Sequence, residues 1–236
     1  MLDLYVSGID QNSDKIFVSA GLLATLQSLD YSTAYYKPIA LGTVVVNGVE
    51  CSKDVAYINF VDPYIKTYNS YVFKEENSPI LAAAFENILI NENIIVNDFQ
   101  QIQNHYECLV VDGGTEISSP ISKNFLEEDL IKTLNIPLLM VVSAENSIGN
   151  TILSINHAKD IGINIRGIVI TNFPENPINS DIKLMPKLIE EYTSEKILGI
   201  LPHIEKNIDP NDLIEHTLNG IDIEAVFNLR IAKLQM

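Results

Sequence analysis

Gly8 and Lys15 bracket the connection between a short apolar run and a helical segment, Gly8-Ile-Asp-Gln-Asn-Ser-Asp-Lys-Ile16. A phosphate-binding loop, G-x-x-x-x-G-K-[ST], uses its glycines to let backbone N–H groups close around phosphate. Its lysine meets the terminal phosphates and its hydroxyl holds Mg²⁺. Lys15 has the required offset from the strand, but Asp14 takes the place of the second glycine and Ile16 replaces the hydroxyl. Taken alone, the segment reads better as an ordinary strand-to-helix loop with a solvated lysine. Lys37, at the end of the next apolar run, is a second cation. Two cations at adjacent strand ends suit an anionic ligand better than a core; two solvated lysines at loop starts are the competing account.

The elements that position these lysines follow from periodicity. Apolar runs at 2–7, 33–37, 108–112, 137–143, 165–171 and 197–201 alternate with helical periods at 16–28, 79–89, 127–134, 147–160 and 181–192. That alternation predicts βαβ units on a parallel sheet, and several runs lack in–out alternation, as strands buried on both faces do. Asp181 and Ser147 are expected N-caps, and Gly162 is expected to stop the fourth helix. The stretch 42–76 is less regular, with a short helix expected near Asp54. The expected architecture is α/β, a doubly wound, mainly parallel sheet with helices on both faces, built as one domain over 1–236. Ligands of such sheets bind outside the carboxyl ends of the strands, where Lys15 stands.

The chain has 236 residues, 31 acidic against 15 basic, for a formal charge of −16. That balance repels a phosphate backbone or an anionic membrane surface, so no nucleic-acid or membrane partner is expected. The acids are scattered and read as a solvated surface. Cys51 and Cys108 are the two cysteines, too few for a disulfide framework or a zinc site; Cys108 reads as a buried strand thiol. The N-terminus lacks a signal-peptide pattern, and no run reaches the ~18 apolar residues of a membrane span. A cytoplasmic setting is expected.

Tyr35-Tyr-Lys-Pro-Ile-Ala-Leu-Gly42 resembles the Y-K-P-[VI]-x-x-G segment of dethiobiotin synthetase. Further matches follow in order: Ser52-Lys-Asp54, Tyr71-Val-Phe73 with Ser78-Pro79, Leu109-Val-Val-Asp-Gly113 with Ser119-Pro120-Ile121, and Asp129-Leu-Ile. Ile136-Pro-Leu-Leu-Met-Val-Val142, Gly162-Ile with Gly167-Ile-Val-Ile-Thr-Asn172, and Leu198-Gly-Ile-Leu-Pro202 complete the series. The resemblance implies a P-loop NTPase-like fold, a homodimer and an enzyme using ATP and Mg²⁺. That enzyme joins CO₂ to 7,8-diaminopelargonate: a carbamate forms on one amine, takes the γ-phosphoryl group, and the second amine closes the ureido ring. Lys15 and Lys37 match the catalytic lysines. Gly8, Asp10, Lys15, Asn172 and Pro202 match nucleotide-binding positions, Asn172 the amide that reads adenine. Asp54 matches a Mg²⁺ ligand, and Asp112 stands where the family uses a glutamate for the metal, one methylene shorter. Bland readings stand beside these: a strand-end acidic cap for Asp112, and turn chemistry before Pro174 for Asn172. The helix near Ser147, with Asn146, Gly149 and Asn150, matches the one that binds the substrate carboxylate across the dimer interface.

The departures cluster. The family loop G-T-D-T-x-x-G-K-T has lost three threonines and a glycine. Its E-G-A-G-G has become Asp112-Gly-Gly-Thr-Glu116, and Leu41 replaces a small hydroxyl residue. Asp14, Ile16, Thr115 and Glu116 thus gather where ATP belongs. Two unit charges ~4 Å apart repel by about 4 kcal/mol at an effective dielectric of ~20. Three functional expectations follow: a dethiobiotin synthetase-like protein with weakened or lost ATP chemistry, an inactive homologue acting as a binding or regulatory subunit, or a working dethiobiotin synthetase with an unusual loop. A partitioning-type ATPase is set aside, because no lysine precedes Lys15.

Overall fold

The computed structural model describes residues 2–10 and 13–230. In chain order the elements are β1 (Leu2–Gly8), α1 (Lys15–Ser28), β2 (Thr33–Leu41), a hairpin of β3 (Thr43–Val46) and β4 (Val49–Ser52), α2 (Lys53–Val61) and β5 (Lys66–Phe73). Then come α3 (Pro79–Phe85), α4 (Glu92–Gln103), β6 (Cys108–Asp112), a small hairpin of β7 (Pro120–Ser122) and β8 (Phe125–Leu126), and α5 (Glu127–Leu134). The last third holds β9 (Leu138–Ser143), α6 (Ile148–Asp160), β10 (Ile165–Thr171), α7 (Ser180–Thr193), β11 (Ile197–Ile200), α8 (Pro210–Gly220) and α9 (Ile223–Phe227).

Seven strands form one parallel sheet in the order β11-β10-β9-β1-β6-β2-β5. The inner strands read as near-continuous apolar runs because helices cover both of their faces. One face packs on α4, α5, α6 and α7 through residues such as Phe99, Leu130, Ile155 and Ile189. The other packs on α1, α2, α8 and α9 through Leu22, Ile58, Leu213 and Phe227. This is the doubly wound α/β arrangement expected. Among the described residues no helix is long and apolar enough to cross a membrane.

β1 lies at the centre; on one side the chain runs out through β2 to the edge strand β5 and returns to place β6 beside β1. It then crosses to the other side and winds outward through β9, β10 and β11, so the order reverses beside β1 and opens a crevice at the strands' carboxyl ends. The register fixes what enters that crevice. β2 pairs with β6 only as far as Tyr36 with Val111, then runs on beside the edge strand β5. Lys37 is the first residue past that pairing, and Pro38, which has no N–H to give a ladder, follows where β6 no longer flanks β2.

Several elements escape the periodicity reading. β5, Lys-Thr-Tyr-Asn-Ser-Tyr-Val-Phe, is a polar, half-exposed edge strand with no apolar run. The β3–β4 hairpin turns on Asn47-Gly48, both at positive φ (51° and 80°), as a tight two-residue turn requires. α4, α8 and α9 are amphipathic or short and were not anticipated, and α3 stops at Phe85 rather than near 89. Asn179, not Asp181, caps α7: its side chain accepts from the Asp181 N–H, so the helix starts at Ser180. Ser147 precedes α6 as expected but makes no side-chain capping bond, and Gly162 lies just past α6 at φ 82°.

α1 is buried along almost its whole length, wedged between the sheet and α8, which accounts for its lack of a polar face. Gly21 is the contact point: a Cβ there would fall 2.1 Å from Thr217 Oγ1 and 3.2 Å from its Cβ. Helix propensity favours alanine over glycine by about 1 kcal/mol, but the overlap works against it. Gly21→Ala is expected to destabilise the protein by about 1–3 kcal/mol in urea unfolding, with recovery in the Gly21→Ala/Thr217→Ala double variant. A stabilised single variant contradicts this packing.

Candidate functional site

Asp112, at the last position of β6, is 1% exposed and holds the site together. Its Oδ1 accepts from Lys15 Nζ and, at 2.9 Å, from Lys37 Nζ. Its Oδ2 accepts from Ser19 Oγ at 3.0 Å, one turn along α1 from Lys15. Lys37 Nζ also donates to the Gly113 carbonyl at 2.7 Å and stands 3.8 Å from Asp54 Oδ2. Both lysines are largely buried, at 8% and 9% exposure, so each needs the carboxylate beside it. Burial alone would raise the Asp112 carboxyl, but Lys15 and Lys37 outweigh it and hold the group down at about 2. Burial pulls Lys37 down, yet Asp112 and Asp54 overcome it and leave the ammonium above a lysine's ordinary value. Lys15 moves the other way: burial and the neighbouring Lys37 charge exceed the pull of Asp112 and lower it.

These groups line one cavity of about 780 Å³ at the carboxyl edge of the sheet. Its walls carry Asp14, Asp54, Glu76, Asp112, Glu116 and Glu127 against Lys15, Lys37 and Lys206, twice as many carboxylates as ammonium groups. Ile16, Leu41, Pro79, Pro120 and Leu130 supply apolar wall.

Asp14 immediately precedes α1 in the left-handed region, φ 49° and ψ 29°, a conformation that favours glycine. Its carboxylate makes no capping bond to the helix. Instead Oδ2 accepts from Asn172 Nδ2 at 2.8 Å, and Asn172 Oδ1 lies 2.8 Å from His203 Nδ1. Asn172 itself sits at φ 54° past the end of β10. Thr171 Oγ1 donates to the Ser13 carbonyl at 2.8 Å, tying β10 to the loop a second time. Gly8 is required where it is, because a Cβ would meet Ser13 Oγ at 2.4 Å and the Thr115 carbonyl at 2.8 Å.

Of the residues singled out from sequence, Lys15, Lys37, Asp54 and Asp112 share the cavity, together with Asp14, Ile16, Thr115 and Glu116. Gly8, Asp10, Asn172 and Pro202 lie beside the loop and strand ends, outside the lining. Sequence reasoning missed Ser19, Glu127, His203 and Lys206. Glu127 is 4% exposed; its Oε1 accepts from the Tyr5 hydroxyl and the Gly114 N–H, both at 2.5 Å. Burial and the Glu127 carboxylate push the Tyr5 phenol well up, so it stays a donor. The signal for Glu127 was the pair Gly113-Gly114, which leaves the room its carboxylate fills: a Cβ on Gly113 would meet Oε1 at 2.3 Å.

The AAA-domain family model matches residues 3–211. The ATP-dependent dethiobiotin synthetase of Clostridium novyi is 30% identical over 233 residues, 94% of this chain and 96% of that protein. The enzyme of the same name from Bacillus licheniformis is 26% identical and 97% of each chain is covered. Among solved structures, a chain of the MinC:MinD cell division protein complex of Aquifex aeolicus superposes with a TM-score of 0.55 at 14% identity, covering 97% of this chain and 93% of that one. A ParA family ATPase from Chlorobium tepidum gives 0.57 at 13% identity, covering 99% and 95%. At such identities the two structures speak for the fold, a P-loop NTPase-like doubly wound sheet.

Asp112→Asn leaves two buried ammonium groups without their anion and is expected to cost about 3–5 kcal/mol at pH 7. The Asp112 carboxyl is held below its ordinary 3.8 in the fold. Its stabilisation is therefore complete above that value and is lost as pH falls from 3.8 toward about 2. Chemical unfolding at a series of pH values is expected to show that acid loss in the natural protein and a shallower one in the variant. Parallel acid limbs would overturn the assignment.

Proposed function

This chain belongs to the dethiobiotin synthetase family, and we propose that it is a dethiobiotin synthetase-like protein that keeps the family's ligand cavity while its ATP chemistry is weakened or lost. The observation that carries this reading is the engagement of Asp14. The loop residue nearest the expected phosphates brings a carboxylate, and that carboxylate takes the amide of Asn172, the group expected to read the base.

Nucleotide and Mg²⁺ fit the residues poorly. Asp54 and Asp112 both face the ammonium of Lys37, and Ile16 brings no hydroxyl to a metal. Among the described residues no three His, Cys, Asp or Glu side chains converge as a metal site. What the chain's own residues do is hold two ammonium groups at the cavity floor, fixed by Asp112 and shielded from water by burial. A carboxylate or carbamate entering the cavity meets those charges preorganised.

A second reading, a working synthetase, draws support from Lys15, Lys37, Asp54 and Asp112 lining a single cavity. In that case both lysines neutralise the anions of the ring-closing reaction, which needs positioning more than covalent help. The other alternative is an inactive homologue acting as a binding or regulatory subunit. A homodimer in the cytoplasm, acting on a small molecule of the diaminopelargonate kind, goes with all three.

Calorimetric titration distinguishes them. The natural protein is expected to give no saturable heat with millimolar ATP and Mg²⁺. Asp14→Gly combined with Ile16→Thr is expected to create ATP binding. Glycine suits the backbone at position 14, and removing ~4 kcal/mol of repulsion corresponds to about a thousandfold in affinity. Tight ATP binding by the natural protein would rule out lost nucleotide chemistry.

A further inference from the structure

We infer that Glu127 is a ligand-reading residue of the cavity, taking a protonated amine of the bound molecule on its second carboxylate oxygen. The inference rests on the cavity being this protein's ligand site, but not on ATP being used there.

Glu127 opens α5, yet it is turned inward and lines the cavity wall. One oxygen, Oε1, is fully used by the Tyr5 hydroxyl and the Gly114 N–H. Among the described residues, Oε2 has no hydrogen-bond donor and forms no ion pair; it is not sealed away but keeps access to the cavity, although the residue as a whole is 4% exposed. A carboxylate held by two donors on one oxygen is fixed in direction, and its other oxygen is left open to a donor entering the cavity, which replaces water there. Two glycines make room for it: Cβ atoms at Gly113 and Gly114 would fall 2.3 Å from Oε1 and 3.1 Å from Oε2.

Charge decides what that donor is. Lys15 and Lys37 are already committed to Asp112, so the cavity's uncommitted charge is negative. An ammonium group gains both the hydrogen bond and the charge pairing there, whereas a hydroxyl gains the hydrogen bond alone. An amine at Glu127, and an anionic group that competes with Asp112 for the two lysines, define a bipolar ligand; the two subsites meet at Gly113, whose carbonyl takes Lys37 and whose missing Cβ makes room for Glu127.

The test compares 7,8-diaminopelargonate with pelargonate, the same chain and carboxylate without amines, by calorimetry. Glu127→Gln keeps an acceptor for Tyr5 and Gly114 but removes the charge. Tyr5→Phe loosens the same carboxylate and leaves the charge in place. Glu127→Gln is expected to weaken the diamine at least tenfold and leave pelargonate unchanged, while Tyr5→Phe keeps the natural preference between the two. Equal losses in both variants, or no loss in Glu127→Gln, would reduce Glu127 to a buttress of the loop after β6 and overturn the inference alone. Absence of binding of either compound to the natural protein would remove the ligand cavity itself, and this inference with it.

Discussion

A single buried carboxylate, Asp112, governs the geometry of the site. Burying two ammonium groups at the end of a sheet is expensive unless an anion meets them, and Asp112 meets both while a serine one turn along α1 takes its remaining oxygen. That network ties the start of α1 to the middle of β2 and the end of β6. It also restrains the lysines: they are preorganised for an incoming anion, but any such anion competes with a carboxylate already in place. Asp54, half-exposed on α2, adds a second and weaker claim on Lys37.

The Asp14–Asn172–His203 chain is the counterpart on the other side of the loop. Glycine at position 14 would supply the left-handed conformation and nothing else. Aspartate adopts that conformation and adds a charge, which finds its partner in the amide of Asn172, just past the end of β10. Asp14 is one of the six carboxylates that give the cavity its acidic excess.

The sheet was legible in the sequence where burial on both faces writes continuous apolar runs, as in Cys108-Leu-Val-Val-Asp112. β5 was not, since an edge strand can carry Asn69 and Ser70 without penalty. Nor were α8 and α9, whose short amphipathic patterns gain their stability from packing on α1 and the sheet. Within the site, Lys15 stood out by its offset from the first strand, but its role, like those of Lys37, Asp54 and Asp112, was legible only through resemblance. Glu127 could not be read, because a glutamate at a helix start usually serves the helix dipole; its inward turn depends on space left by two glycines. His203 and Ser19 acquire their partners through tertiary contacts 31 and 93 residues away, a distance no local pattern encodes.

The position of β6 between β1 and β2 has a consequence for biogenesis. During synthesis the first two strands emerge with a slot between them that stays open until residues 108–112 follow. Until then both flanking edges lack their ladder partners, and the two lysines lack the anion that makes their burial tolerable. A ribosome-bound chain short of that point therefore holds exposed strand edges of the kind that recruit chaperones or pair with neighbours. Insertion of one five-residue strand joins β1 to β2 and completes the ion network in the same event, while the other edge of β1 waits for β9.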